Sequence, residues 1–250
     1  LWINLKVPRD AAKGLYEGNF KVLLDAETIA EGRLNLKVFN FALPEKPSFQ
    51  SITVFRKQHP DKYCPEVTRE DCYRLFSRNR LGGVVSGLPI KVELSEGEVL
   101  IDTSDFEAQQ SFYFDECNFN IFGLPHVYLG EQGHLYKWKN FEPMSDDYKK
   151  YLGSYLRKVD EYLSSRNLAD KAVLYIADEV WGGKYDMFSE TFHFVKQNAP
   201  NLRTFLTVDP WHGGLLKAVD IWCKHSVVQP ESKGNIREHG STAFTYWNST

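Results

Sequence analysis

The sequence predicts an α/β protein: an incomplete (β/α)8 TIM-like barrel preceded by the end of a β-sandwich domain. Three observations predict it. Residues 1–43 alternate apolar and polar in short β-like runs broken by turn residues. Beyond the proline linker Ala42-Leu43-Pro44-Glu45-Lys46-Pro47, strand-like and helix-like segments alternate to the last residue. One of those strands, Lys171–Asp178, holds the run Ala172-Val173-Leu174-Tyr175-Ile176-Ala177, apolar enough to be buried on both faces, as in a parallel sheet, and ends in two adjacent carboxylates, Asp178 and Glu179. The implied domains are residues 1–43, the C-terminal part of a sandwich, and residues 44–250, a truncated barrel.

In chain order, strands are expected over Leu1–Val7, Tyr16–Leu24 and Gly32–Phe41. Ser51–Arg56 reads as the first barrel strand. Thr68-Arg69-Glu70-Asp71 is a helix-start signal, so Val67–Arg80 is expected helical. Leu81–Gly87 is a weak second strand, followed by an inserted hairpin, Lys91–Leu94 with Val99–Asp102. Ser104–Asn118 reads as helix, Phe119–Leu124 as strand, and a long loop with His126, Tyr128, His134 and Trp138 follows. Over Ser145–Asn167, Tyr148, Leu152, Tyr155, Leu156, Val159 and Leu163 recur at helical spacing. Tyr185–Gln197 reads as helix; Leu202–Val208, Val219–Lys224 and Thr242–Trp247 read as strands. Seven such units suggest a barrel whose eighth is absent, and a start without Met suggests a piece of a longer protein.

Composition narrows the function. Lys+Arg 30 and Asp+Glu 33 are interleaved, for a net charge of −3, and no basic stripe suggests nucleic acid. No apolar run approaches the roughly 18 residues of a membrane span. The four cysteines form no C-x-x-C pair, and the seven histidines show no H-x-x-x-H pairing, so neither a metal nor another cofactor is expected. Cys72 and Cys223 read as buried thiols.

The strongest chemical signal is Asp178-Glu179-Val180-Trp181-Gly182-Gly183. Catalytic residues of a barrel sit at the carboxyl ends of its strands. Neighbours on a strand point to opposite faces, so both acids reach one pocket only if the backbone turns after the strand. Two carboxylates sharing an apolar pocket repel, and the less hydrogen-bonded one keeps its proton to higher pH, giving one acid and one ionised partner. The competing structural reading has Asp178 capping the next helix and Glu179 pairing with Lys184.

This stretch resembles the catalytic strand of glycoside hydrolase family 123, which carries an Asp-Glu pair at the end of barrel strand four. The opening Val7-Pro8-Arg9-Asp10-Ala11-Ala12-Lys13-Gly14-Leu15-Tyr16-Glu17-Gly18 resembles a turn in that family's preceding β-sandwich. The hexosaminidases of family 20 also carry an Asp-Glu pair, so the order of domains carries part of the likeness. The resemblance implies retaining hydrolysis of a β-linked 2-acetamido sugar, N-acetylgalactosamine typically. The substrate's acetamido oxygen would act as nucleophile, an exception to the two-carboxylate scheme. Glu179 would be the acid and base, and Asp178 would orient the acetamido N–H. It also implies a glycan or glycoconjugate as partner and favours a secreted or periplasmic location.

Other strand ends supply candidate substrate contacts: Arg56 for hydroxyls, His126, Trp181 to shape the pocket, Asp209 for a hydroxyl or as a second carboxylate, Trp211 for stacking, Tyr246 for the acetamido carbonyl and Trp247 for its methyl. Packing, turn or surface roles compete at each. Two rival functions stay open: a retaining glycosidase using Glu179 with Asp209 as nucleophile, and a non-catalytic carbohydrate-binding protein on a barrel.

Overall fold

The computed structural model describes residues 3–55, 64–85, 87–95, 97–180, 185–208, 214–215, 217–225 and 238–246, with backbone alone at 225, 245 and 246. The chain divides into two units, Leu1–Glu45 and Lys46–Thr250.

The first unit is one antiparallel hairpin, β1 (Gly14–Leu24) with β2 (Glu27–Val38). Its turn residues Asp25 and Ala26 both have positive φ, 48° and 69°, which matches the right-handed twist of the arms. The expected strand over Leu1–Val7 is not found at residues 3–7, which lie in no ladder. A strand needs a neighbour to receive its backbone hydrogen bonds, and the alternation of side chains cannot supply one. A β-sandwich is therefore not what this unit displays; it is a two-stranded ribbon.

In the second unit, Thr68 caps α1 (Arg69–Arg78) in a reciprocal box with Asp71, as the sequence signals. The inserted hairpin forms as β3 (Lys91–Ser95) and β4 (Glu98–Asp102). The next expected helix changes character midway: α2 (Ser104–Ser111) continues as a π-helical turn, Phe112–Glu116. There the buried Tyr113 hydroxyl accepts from Val84 N (2.9 Å) and donates to Ile121 O (3.1 Å). The expected strand Phe119–Leu124 shrinks to β5 (Phe122–Gly123), and the long loop after it carries a small hairpin, β6 (Gly130–Glu131) and β7 (His134–Leu135).

Ser145 caps α3 (Asp146–Ser165), accepting from Tyr148 N, and the helix buries the six apolar positions anticipated from their spacing. β8 (Ala172–Asp178), α4 (Tyr185–Asn198), β9 (Arg203–Thr207), β10 (Ile221–His225) and β11 (Thr242–Tyr246) complete the order. β8 to β11 pair in parallel and in chain order. On the other side of β8, β5 pairs in parallel, and backbone bonds continue the series through residues 82–84 to Thr53. Among their described residues, the Ser51–Arg56 and Leu81–Gly87 segments thus contribute one bridge, Thr53–Val84, instead of full strands.

The architecture is mixed α/β around a parallel sheet. Among the described residues, no pairing joins Thr53 to β11, so a closed ring is not displayed. The helices cover one face, packing Phe106, Tyr148, Leu152, Leu156, Phe188 and Phe192 into the main core. The opposite face has its own small cluster, Ile121, Val173, Phe205, Ile221 and Cys223. Ile52 and Phe244, from the first and last segments, pack against that same cluster, so the sheet curves about this inner face. No helix of the described residues is long and apolar enough to cross a membrane. Of the cysteines, Cys117 and Cys223 are buried, Cys64 is exposed and Cys72 is partly exposed; Cys72 thus departs from the expected buried thiol because it lies on the flank of α1.

Candidate functional site

The inner face presents residues in layers set by the parallel register. In one layer Glu131 stands opposite Asp178, Asp178 opposite Thr207, Thr207 opposite Cys223, and Cys223 opposite Phe244. All five line one cavity of about 830 Å3. One layer toward the strand N-termini lie Tyr175 and Phe205, their rings edge-on at 4.8 Å between centroids. The volume lies within the roughly 300–1,000 Å3 usual for small-molecule sites.

Strict alternation would put Asp178 on the opposite face from Tyr175. A bulge prevents this: Tyr175 pairs with Phe205 and Ala177 with Leu206, so one extra residue sits on β8. Ile176 and Ala177 both turn into the helix-covered core, fully buried. The parity is reset, and Asp178 returns to the inner face with Tyr175. The strand ends there. Glu179 then takes φ 46°, a left-handed conformation costing a non-glycine residue about 1–2 kcal/mol. With that turn Glu179, which is exposed, also lines the cavity. Two neighbouring carboxylates reach one hollow through a bulge followed by a left-handed residue.

Aromatic hydroxyls surround the carboxylates. Tyr175 Oη lies 2.8 Å from Thr207 Oγ1. Burial pushes the Tyr175 phenol well above its ordinary pKa; the Thr207 bond opposes this, and its bond toward Asp178 together with that carboxylate's charge adds to it. These signs fit a chain in which Thr207 donates to Tyr175 and Tyr175 donates toward Asp178. Tyr128 stands 5.4 Å from the Tyr175 ring and 6.0 Å from the Tyr136 ring. Its phenol is also driven far up, by burial first and then by the charges of Asp178 and Glu131. Tyr136 Oη donates to Glu131 Oε2 at 3.0 Å. The Cys223 thiol is pushed up to about 12, by burial and then by Asp178. Among the described residues, no group of three or more His, Cys, Asp or Glu could hold a metal ion.

Of the candidates named from sequence, Asp178 and Glu179 come together at the cavity. His126 is not among the residues lining it. Its imidazole is exposed, its pKa lowered by partial desolvation and then by Lys139, and its backbone carbonyl accepts from Trp138 Nε1 at 3.0 Å. Arg56, Trp181, Asp209, Trp211 and Trp247 lie outside the described residues, as does the Tyr246 side chain, though the Tyr246 backbone belongs to β11. Sequence reading missed Glu131, Tyr128, Tyr175 and Thr207. A signal existed for Glu131: Gln132-Gly133, with φ 48° and 80°, is a two-residue hairpin turn directly after it. For Tyr175 there was none, because simple alternation assigns it the face opposite Asp178.

This arrangement defines an α/β protein of the parallel-sheet kind, with its candidate site at the carboxyl ends of the strands. Residues 105–250 match the family model described as Glycoside hydrolase 123, catalytic domain, and the chain belongs to that family. It is similar in structure to a family 123 glycoside hydrolase from Clostridium perfringens, described for glycolipid glycan hydrolysis. That likeness has TM-score 0.64 and 14% identity over 96% of this chain and 51% of the other, so the chain spans about half the length of that protein. A β-D-glucuronidase of Dictyoglomus thermophilum aligns with TM-score 0.35 and 13% identity, over 85% of this chain and 36% of the other. A β-glucuronidase 3 of Bacteroides uniformis aligns with TM-score 0.33 and 10% identity, over 85% and 26%. No curated protein matches the chain.

Proposed function

We propose that this chain is the catalytic part of a retaining glycosidase that removes a β-linked 2-acetamido sugar, N-acetylgalactosamine-like, by substrate-assisted catalysis. In this reading the parallel sheet is the greater part of a (β/α)8 barrel, and residues 1–43 are the C-terminal part of a β-sandwich whose other strands lie elsewhere in a longer protein. The observation that carries the proposal is the pair of adjacent carboxylates, Asp178 and Glu179, lining one cavity through a bulge and a left-handed residue. Such backbone devices cost stability and cluster at functional sites.

The chemistry follows from the pair. Glu179, the more exposed, gives its proton to the glycosidic oxygen as the C1–O bond breaks. The substrate's acetamido oxygen attacks C1 and forms an oxazolinium ion. Asp178, ionised, accepts the acetamido N–H, holds the group for attack and offsets the positive charge that develops. Tyr175, donating toward Asp178 with Thr207 behind it, keeps that carboxylate oriented. Water then adds at C1 while Glu179 takes its proton, which restores the acid and retains the anomeric configuration.

The test uses 4-nitrophenyl 2-acetamido-2-deoxy-β-D-galactopyranoside and its gluco epimer. Glu179→Gln abolishes turnover, and Asp178→Asn lowers kcat by about two or more orders of magnitude, the usual loss for one preorganised contact. Wild-type kcat in both variants sinks the proposal. Equal hydrolysis of the corresponding 2-hydroxy glycoside removes the acetamido step and leaves a two-carboxylate enzyme.

A further inference from the structure

We infer that Glu131 is a substrate-binding residue of this site, accepting hydroxyls of an uncharged sugar beside the catalytic pair. The inference rests on the glycosidase reading above and extends it to a residue outside the Asp-Glu motif.

Four observations carry it. The parallel register sets Glu131 directly across from Asp178, and the next backbone bond, Gln132 N to Asp178 O at 3.0 Å, locks that register. Residues paired in a parallel ladder present their side chains on the same face. Glu131 lines the same cavity as Asp178 and Glu179 and is only partly exposed. Tyr136 donates to its Oε2 at 3.0 Å, and Tyr128 also donates toward it, which holds the carboxylate in one orientation.

The donor count decides its role. An ionised carboxylate has about four acceptor positions, and the two phenols occupy about two. The others remain for a ligand in the cavity that Glu131 lines, whose described lining residues include no Lys, Arg or His. An acceptor-only group in such a place takes donors, such as the hydroxyls of a saccharide, and disfavours anionic ligands. A sugar carrying its own carboxylate or sulfate would meet two carboxylates there, Glu131 and Asp178, beside the proton-bearing Glu179, and be repelled. The hairpin of β6 and β7 therefore acts as a binding arm, delivering Glu131 with Tyr128 packed against the Tyr175 ring.

The experiment compares wild type, Glu131→Gln and Tyr136→Phe on the two 4-nitrophenyl 2-acetamido substrates, with Asp178→Asn and Glu179→Gln alongside. Loss of a charge-assisted bond made equally in ground and transition states raises KM about ten- to a hundredfold and leaves kcat within about threefold. Glu131→Gln shows that pattern; Tyr136→Phe, which keeps the carboxylate, changes KM less than about threefold. Overturning results are an unchanged KM for Glu131→Gln, a kcat loss as large as that of Asp178→Asn, or a Tyr136→Phe effect equal to that of Glu131→Gln, which would make Glu131 a brace for the tyrosine. If Glu131→Gln does not fold, Glu131→Asp replaces it under the same criteria. Retained kcat in Asp178→Asn and Glu179→Gln rejects the proposed function separately, whatever Glu131 does. If wild type turns over neither substrate, calorimetric binding of N-acetylgalactosamine and N-acetylglucosamine decides: binding lost in Glu131→Gln supports the inference, and no binding, or equal binding, overturns it.

Discussion

Replacing Gly123 with Ala tests the packing that brings the first segments against the rest of the sheet. A Cβ built at Gly123 would lie 1.7 Å from Val85 O and 2.5 Å from Val85 C, and one at Gly83 would lie 1.8 Å from Ile121 O. The obstacle in each case is backbone, so no side-chain rotation relieves it. The two segments must separate by roughly 1.7 Å or more to reach ordinary contact. Separation stretches Gly123 N to Val84 O (2.9 Å) and pulls on Leu124 N to Val173 O (3.0 Å). Overpacking of this kind costs about 1–3 kcal/mol, and weakening two buried backbone bonds adds about 1 each, so Gly123→Ala destabilises by about 3–5 kcal/mol. At about 2–4 °C per kcal/mol for a chain of this length, Tm falls by about 6–20 °C. The assay is thermal unfolding followed by circular dichroism. Gly18→Ala is the control, since nothing lies within 4 Å of a Cβ there; it stays within about 0.5 kcal/mol of wild type. A Gly123→Ala melt within about 2 °C of wild type would refute the close approach of these segments. Val85, Leu124 and Pro125 line the cavity, so the same variant raises KM.

Three further outcomes are expected. Tyr175→Phe removes the hydroxyl between Thr207 and Asp178; kcat falls about tenfold or more with KM little changed, and the same change made in Asp178→Asn has under about twofold effect, because the partner is already altered. An undiminished loss in that background rules out the positioning role. The Asp71 carboxyl is held below its ordinary 3.8, chiefly by the Thr68 side-chain hydrogen bond, so its contribution is present above pH 3.8 and fades as pH falls through the lowered value. The melting-temperature gap between wild type and Asp71→Asn is therefore open at pH 7 and closes toward pH 2; a gap independent of pH contradicts this. The Cys223 thiol, pushed up to about 12 by burial and then by Asp178, stays protonated at pH 8 and reacts with iodoacetamide far more slowly than the exposed Cys64. Equal labelling of both, read by mass spectrometry, excludes the buried environment.

Local chemistry made parts of this protein legible without coordinates. Thr68 with Asp71, and Ser145, announce helix starts because capping depends on neighbours within one turn. The six apolar positions of α3 show themselves because a helix repeats its face every few residues. β8 shows itself as a continuous apolar run ending in acids, because both its faces are buried. The two-residue strands β6 and β7 left no such trace: they are too short for any period. Residues 3–7 alternate like a strand and form none, because alternation describes side chains and pairing requires a second segment.

The identity of the site divides along the same line. Sequence alone determined that Asp178 and Glu179 end a buried strand, since side-chain type and hydrophobic run are properties of the chain itself. Tertiary structure alone decided that both face one cavity. Pairing β8 with β9 forces an extra residue at Ile176, which reverses the parity of everything after it, and Glu179 turns through a left-handed φ. It alone decided that Glu131, 47 positions earlier than Asp178, is its neighbour. Register between strands is fixed by long-range hydrogen bonds and packing, and no window of consecutive residues contains that information.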